Sequence, residues 1–270
     1  MDYYILNNGV KIPKIGFGTW QIENGNICYE AVKNALKVGY RHIDTASAYG
    51  NEESVGKAIK DSLLPRKEVF ITSKIPAEIK TYDEAKKYIE KSLKLLNVDY
   101  IDLMIIHAPR PWSEMTENFV YDYKKENVNV YRALEEAYLH KKLRAIGVSN
   151  FSIEDLQNIL ENCQVIPMVN QIPHFIGYPQ KELCSFCAEK HILVEAYSPF
   201  RTGKIFQNKE IEKLADKYHT TSADICLAFC YQRNTLPLPK STHYDRIKAN
   251  FEYHTKLSED DLKYLESLTI

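Results

Sequence analysis

Asp44, Tyr49, Lys74 and His107 bring together a carboxylate, a phenol, an ammonium and an imidazole. Three of them close short apolar runs: Asp44 in 42–45, Lys74 in 69–74 and His107 in 101–107. Tyr49 lies five residues beyond Asp44, ahead of the next helical pattern. Adjacent parallel strands lie about 4.8 Å apart, so consecutive strand ends can bring Asp44, Lys74 and His107 together. An ammonium beside a phenol favours the phenolate and lowers the phenol's pKa. Asp44 would hold that ammonium in place and charged, which makes Tyr49 a general acid near neutral pH. A neutral His107 could donate a hydrogen bond to a carbonyl oxygen. Such a set protonates an oxygen that turns negative as hydride reaches its carbon. No metal-ligand cluster is evident, and no Ser or Cys nucleophile stands beside an activating base. With 19 tyrosines in the chain, Tyr49 alone reads as a packing residue; its place beside Asp44 is what raises it.

The elements that must position these residues alternate along the chain. Apolar runs at 14–18, 42–45, 69–74, 101–107, 144–149, 167–171, 192–197 and 236–240 are each followed by helix-like sequence. Ile27, Ala31 and Ala35 recur at helical spacing, with Gly39 as a candidate C-cap. Thr81 and Glu84 have capping-box spacing, and Ser152 with Asp155 opens another helix. Further helical patterns cover 51–63, 128–142, 179–190, 207–218 and 221–232, and two short helices close the chain. The run 101–107 is almost continuously apolar, as suits a parallel strand buried on both faces. Eight strand-helix units with right-handed crossovers predict a (β/α)8 barrel in one domain over residues 1–270, with an N-terminal β-hairpin and extra C-terminal helices. An open doubly wound sheet is the alternative. It would announce its site with G-x-G-x-x-G, whereas Gly16-Phe17-Gly18-Thr19-Trp20 lacks the third glycine and a helix directly behind it. Loop insertions are expected at 109–127 and 198–207. In such a barrel the strand ends Thr19 and Trp20, Asp44, Lys74, His107, Ser149 and Asn150, Gln171, Tyr197 and Ser198, and Lys240 and Ser241 all face one mouth.

Composition narrows the function classes. The formal net charge of −1 gives no cationic surplus for nucleic acid, so no nucleic-acid partner is expected. No run approaches the roughly 18 apolar residues of a membrane span, and Met1-Asp2-Tyr3-Tyr4 has no signal-peptide pattern, so the expected address is the cytoplasm. The six cysteines then read as reduced thiols. Cys184 and Cys187 form a C-x-x-C, and Cys226 and Cys230 lie further on, but both pairs fall in separate helical patterns and read as packed thiols rather than a zinc site.

The sequence resembles the aldo-keto reductases over essentially its whole length. The matching segments are GFGTW at 16–20, HIDTASAYGNE at 42–52, ITSKI at 71–75, IDLMIIHAP at 101–109, IGVSNF at 146–151, VNQ at 169–171, AYSP at 196–199 and PLPKSTHYDRIKAN at 237–250. The HAPRPW stretch at 107–112 looks most like short bacterial members, of the 2,5-diketo-D-gluconate reductase-like kind. The resemblance implies a catalytic tetrad of Asp44, Tyr49, Lys74 and His107. It assigns Ser149, Asn150 and Gln171 to a nicotinamide carboxamide and has Tyr197 stack on the nicotinamide ring. It places Ser198 and the backbone near Phe200 at the pyrophosphate, and Gly18, Thr19 and Trp20 along the cofactor and substrate. Lys240, Ser241, Thr242 and Arg246 would hold a 2′-phosphate, which needs cationic and preferably bidentate partners, so NADPH is the expected cofactor. Asn250 would meet adenine.

Two residues depart from the family pattern. Ala249 stands where a Glu is common, which weakens the adenine site. Ala108 stands where many members carry an aromatic residue, which opens the substrate pocket on one side. The sequence ends at Ile270, short for the family, and the resemblance then implies an open pocket lined by Trp20, Tyr49, His107 and Trp112. Aldehydes, α-keto esters, diketones and keto sugars all fit such a pocket. A monomer is the expected state. Two other readings use the same barrel. A cofactor-binding regulatory subunit is disfavoured by the intact tetrad. A sugar-phosphate isomerase or hydrolase would need the site at Lys240 and Ser241, which a cofactor phosphate uses better.

Overall fold

The computed structural model describes residues 2–115 and 121–270. Strands β1 (Tyr3–Ile5) and β2 (Lys11–Pro13) form an antiparallel hairpin, with Tyr3 opposite Pro13. The barrel strands are β3 (Phe17–Gly18), β4 (His42–Asp44), β5 (Phe70–Ile75), β6 (Ile101–Ile106), β7 (Leu143–Ser149), β8 (Val169–Pro173), β9 (Leu193–Tyr197) and β10 (Leu236–Leu238). They form one eight-stranded sheet in sequence order, and each pair is parallel. The helices between and after them are α1 (Asn26–Val38), α2 (Glu52–Asp61), α3 (Tyr82–Leu96), α4 (Lys124–Leu139), α5 (Ile153–Asn162), α6 (Lys181–Glu189), α7 (Lys209–Lys217), α8 (Ser222–Gln232), α9 (Tyr244–Phe251) and α10 (Glu259–Ser267). The (β/α)8 barrel expected from the run-helix alternation is the fold observed, hairpin included.

Two backbone hydrogen bonds close the barrel, from Gly16 N to Pro237 O (3.1 Å) and from Gly18 N to Pro239 O (3.0 Å). Proline is tolerated in this last strand because the seam uses only its carbonyls. The glycines are needed for the close approach. A Cβ on Gly16 would lie 2.5 Å from Leu238 Cδ2 and 2.6 Å from His42 Nδ1, and one on Gly18 would lie 3.3 Å from Leu238 O. The runs 14–18 and 236–240 hold strands of only two and three residues.

Helix starts follow the sequence signals where side chains make them. Ser152 and Asp155 form a reciprocal capping box at α5. Thr81 accepts from Glu84 N at α3, but Glu84 turns its carboxylate to the Thr81 hydroxyl, so half of the expected box forms. Helix α4 begins at Lys124, a turn before the expected 128, because its first turn is Lys-Lys-Glu-Asn and carries no apolar period. The expected 109–127 insertion therefore ends earlier, and its residues 116–120 lie outside the described residues. The 198–207 insertion holds 3-10 turns within Arg201–Gln207, interrupted by left-handed residues at Thr202 and Gly203.

The core lies between the sheet and the helix layer. Ile43, Ile71, Met104, Ile106, Ile146 and Val148 are sealed there with Val32, Ile89, Leu134 and Ile159 of the helices. Cys226 and Cys230 pack in a second apolar cluster with α7 and α10. All six cysteines are free thiols, and burial raises those of Cys184 and Cys187 to about 11 and about 12. Among the described residues, no helix is long and apolar enough to cross a membrane.

Candidate active site

Strand register gathers polar side chains at one end of the barrel. Gly18 pairs with Asp44, Asp44 with Thr72, Ser149 with Gln171, Gln171 with Glu195, and Pro173 with Tyr197. Side chains alternate along a strand, so residues two apart share a face. His42 and Asp44 thus share the inner face of β4, and Thr72 and Lys74 share that of β5.

Lys74 is fully buried, and its Nζ donates to Asp44 Oδ1 at 2.6 Å and to Thr45 O at 2.8 Å. The ammonium lies 5.0 Å from the centre of the Tyr49 ring. That ring is edge-on to His107 at 5.5 Å, and His107 is edge-on to Trp112 at 5.2 Å. The four residues that sequence spacing singled out are therefore one cluster. Tyr49 stands on a single 3-10 turn, Ser47–Tyr49, closed by Gly50 in a left-handed conformation (φ 69°) that suits glycine.

The electrostatics differ from the sequence expectation at one point. Burial opposes the charge on Lys74, but Asp44 and Tyr49 together raise its pKa, so it stays an ammonium. Tyr49 was expected to be an acidified phenol. Its pKa is instead raised: burial dominates, Lys74 lowers it, and the carboxylate of Asp44 raises it again. The phenol is held protonated at rest. Burial and the neighbouring Lys74 charge push His107 down to about 3, so its ring is neutral at physiological pH. Among the described residues its Nδ1 has no hydrogen-bond partner.

A second set lies beside this cluster. Ser149 Oγ donates to Gln171 O, and Asn150 Nδ2 donates to Ser149 Oγ (3.0 Å) and to His107 O (2.9 Å). Tyr197 OH donates to Asn150 Oδ1 at 2.7 Å. Asn150 (φ 62°) and Ser198 (φ 52°) are both left-handed, and so are Arg201, Thr202 and Gly203 in the loop past Phe200. Runs of this kind can point successive N–H groups to one side, the usual way a backbone meets an anion. On β3, Thr19 is sealed and its Oγ1 donates to Asp44 O, so its side chain ties β3 to β4. Trp20 is 46% exposed and Trp112 43% exposed at the mouth. Beyond β10, Lys240, Thr242 and Arg246 are exposed, while Ser241 and Asn250 are buried. Among the described residues neither Lys240 nor Arg246 has a salt-bridge partner, which leaves two cations open at the start of α9.

Sequence reasoning missed two sealed residues. Asn51 Nδ2 donates to Thr19 O and Ile22 O, and its Oδ1 accepts from Thr45, which pins the loops after β3 and β4 together. Glu195 lies inside the barrel on β9 and is fully buried. The signal for it was a charged residue within an otherwise apolar run, two positions before Tyr197 and so on the same face.

The family model of the aldo/keto reductases matches residues 14–270. A glyoxal reductase of Bacillus subtilis is 39% identical over 268 residues, 99% of this chain and 92% of that protein. An aldehyde reductase of Saccharomyces cerevisiae is 40% identical over 283 residues, 98% of this chain and 89% of that protein. The crystal structure of a Bombyx mori aldo-keto reductase in complex with NADP superposes with a TM-score of 0.86 at 31% identity, covering 98% of this chain and 92% of that one. The chain belongs to the aldo/keto reductase family.

Proposed function

We propose that this protein reduces aldehyde or ketone carbonyls to alcohols with NADPH, Tyr49 acting as the general acid. The observation that carries the reading is the sealed Lys74 ammonium, bonded to Asp44 and set against the Tyr49 ring. Bound NADPH supplies the hydride for the carbonyl carbon. Tyr49 holds its phenolic proton at rest and hands it to the carbonyl oxygen as charge develops there. Lys74 stabilises the resulting phenolate, and Asp44 keeps Lys74 charged and aimed. Neutral His107 orients the carbonyl oxygen, and Trp20 and Trp112 flank the substrate.

The donor set fits the cofactor. Ser149, Asn150 and Gln171 face a carboxamide, Tyr197 presents a ring to the nicotinamide, and the left-handed turn from Ser198 past Phe200 meets the pyrophosphate. Gly18 keeps the floor of the cleft low. Lys240, Ser241, Thr242 and Arg246 hold the 2′-phosphate, their two unpaired cations being the feature that favours NADPH over NADH. Asn250 reaches the adenine. The named activities of the Bacillus and Saccharomyces relatives make small aldehydes and dicarbonyls the first substrates to test. The test is cofactor oxidation at 340 nm, a wavelength set by the reduced nicotinamide, on a panel of aldehydes, diketones and keto sugars with NADPH and NADH side by side. Carbonyl-dependent oxidation of NADPH in preference to NADH is expected. No oxidation of either across the panel overturns the reading.

A further inference from the structure

Glu195 is a fully buried carboxyl that no step above uses. Its Oε2 accepts from Gln171 Nε2 at 2.8 Å, and the same nitrogen donates to Asp44 Oδ2 at 2.8 Å. Among the described residues its Oε1 has no hydrogen-bond partner, and it lies 3.9 Å from His42 Nε2. The groups facing it are His42 and Asp44 of β4, Lys74 of β5 and Gln171 of β8, while its register neighbour on β10 is the apolar Leu236. Burial, reinforced by the charge of Asp44, pushes this carboxyl up to about 8 against the opposing Gln171 hydrogen bond and Lys74 charge. His42 is pushed down to about 3 by burial and by Lys74, so it brings no positive charge.

A primary amide has two N–H donors on one atom and an acceptor on the other. Both donors of Gln171 are taken, one by Asp44 and one by Glu195. Turning the amide over would set its carbonyl against the Asp44 carboxylate and take away the N–H that Glu195 Oε2 accepts. The two carboxyls therefore fix the orientation and leave Gln171 Oε1 as the free end. With Asp44 alone, one N–H would be unpaired and the amide held by one bond instead of two.

We infer that Glu195 is a positioning residue for the cofactor, holding Gln171 with its carbonyl outward to accept an N–H from the nicotinamide carboxamide. The inference rests on the reductase reading and adds to it a buried residue that reaches the cofactor only through another side chain. It ties cofactor recognition to the proton machinery, because the amide that Glu195 orients is also bonded to Asp44.

The test measures NADPH dissociation constants by fluorescence titration for the wild type, Glu195→Leu, Glu195→Gln, Gln171→Leu and the double variant Glu195→Leu/Gln171→Leu. Glu195→Leu should bind about tenfold more weakly, the size of one lost buried hydrogen bond. Glu195→Gln, which still offers an acceptor, should stay within about twofold. The double variant should bind no more weakly than Gln171→Leu, since the effect passes through that amide. Wild-type affinity in Glu195→Leu, or additive losses in the double variant, overturns the inference. If Glu195→Leu does not fold, pH carries the test. Wild-type affinity should tighten above about pH 8 as Glu195 ionises and grips Gln171 more strongly. Glu195→Gln should show no such rise, and a Glu195→Gln curve that follows the wild type overturns the inference. A wild type that binds no NADPH overturns the reductase reading and this inference with it, whereas equal binding by wild type and Glu195→Leu overturns the inference alone.

Discussion

Each end of the barrel buries a carboxylate against cations, and the two do different work. At the base, Asp102 of β6 is sealed. Its Oδ2 accepts from Arg66 (2.7 Å) and Ile71 N (3.0 Å), and its Oδ1 accepts from Arg144 (2.6 Å). The two guanidiniums reach solvent, beside a cleft that Lys11, Arg41 and Lys67 also line. At the mouth, Asp44 and Lys74 are both sealed, and the cation is shared with an aromatic ring. The base pair spends its charge on holding strand starts together, with water near to screen it. The mouth pair keeps its charge in a dry place, where an ammonium acts strongly on a neighbouring phenol. Both ends pair a carboxylate with cations, but the base uses two guanidiniums that reach solvent and the mouth one sealed ammonium.

The sharpest way to break this contrast is Tyr49→Phe. NADPH oxidation should fall at least about 10²-fold, the size of a lost general acid, with thermal unfolding close to wild type. Full activity would place the proton donor elsewhere. The matching change at the base is Asp102→Asn. It leaves Ile71 N–H and two guanidiniums short of a full partner, and stability measured by urea unfolding should drop by about 2 kcal/mol. Its kcat/KM should not change; an activity loss greater than the stability loss would mean that the base communicates with the mouth.

Acid should separate the ends further. His107 takes up its proton at about 3 in the folded state and at about 6.5 unfolded. Between those values the unfolded chain binds more protons, so stability falls as pH drops, by about 1.4 kcal/mol per unit from this group. His107→Asn should remove that share, read as a shallower acid limb in unfolding against pH; parallel limbs would show His107 to be solvated. The smallest expected effect is at the cofactor's far end. Arg246→Ala should weaken NADPH binding about tenfold, the scale of a charge-assisted contact, and leave NADH binding as it was. Equal losses for both cofactors would remove Arg246 from the 2′-phosphate site.

Much of this mouth was legible because polar residues terminate apolar runs, and parallel register then forces those ends into one ring. Asp44, Lys74 and His107 could be read that way, and the Ser152–Asp155 capping box announced α5. What the sequence withheld was dryness. Spacing set Lys74 near Tyr49 and suggested an acidified phenol, but the direction of the pKa depends on how much water the fold removes, and burial outweighs the ammonium. Glu195 escaped notice because attention to run ends passes over a charge in a run's interior. Asn51 escaped because its partners are backbone carbonyls, which have no sequence signature. The first turn of α4 was missed because a solvated turn leaves no apolar trace.

The seam between β3 and β10 has a consequence for synthesis. Of the barrel strands, β3 leaves the ribosome first and β10 last, and the N–H groups of Gly16 and Gly18 find their acceptors only when Pro237 and Pro239 have been made. Until then the growing sheet has an open edge on each side, of the kind that invites pairing with other chains. The two-residue length of β3 limits that hazard. A chain that stops before Leu236 lacks the strand whose carbonyls accept those bonds, so it cannot close this sheet.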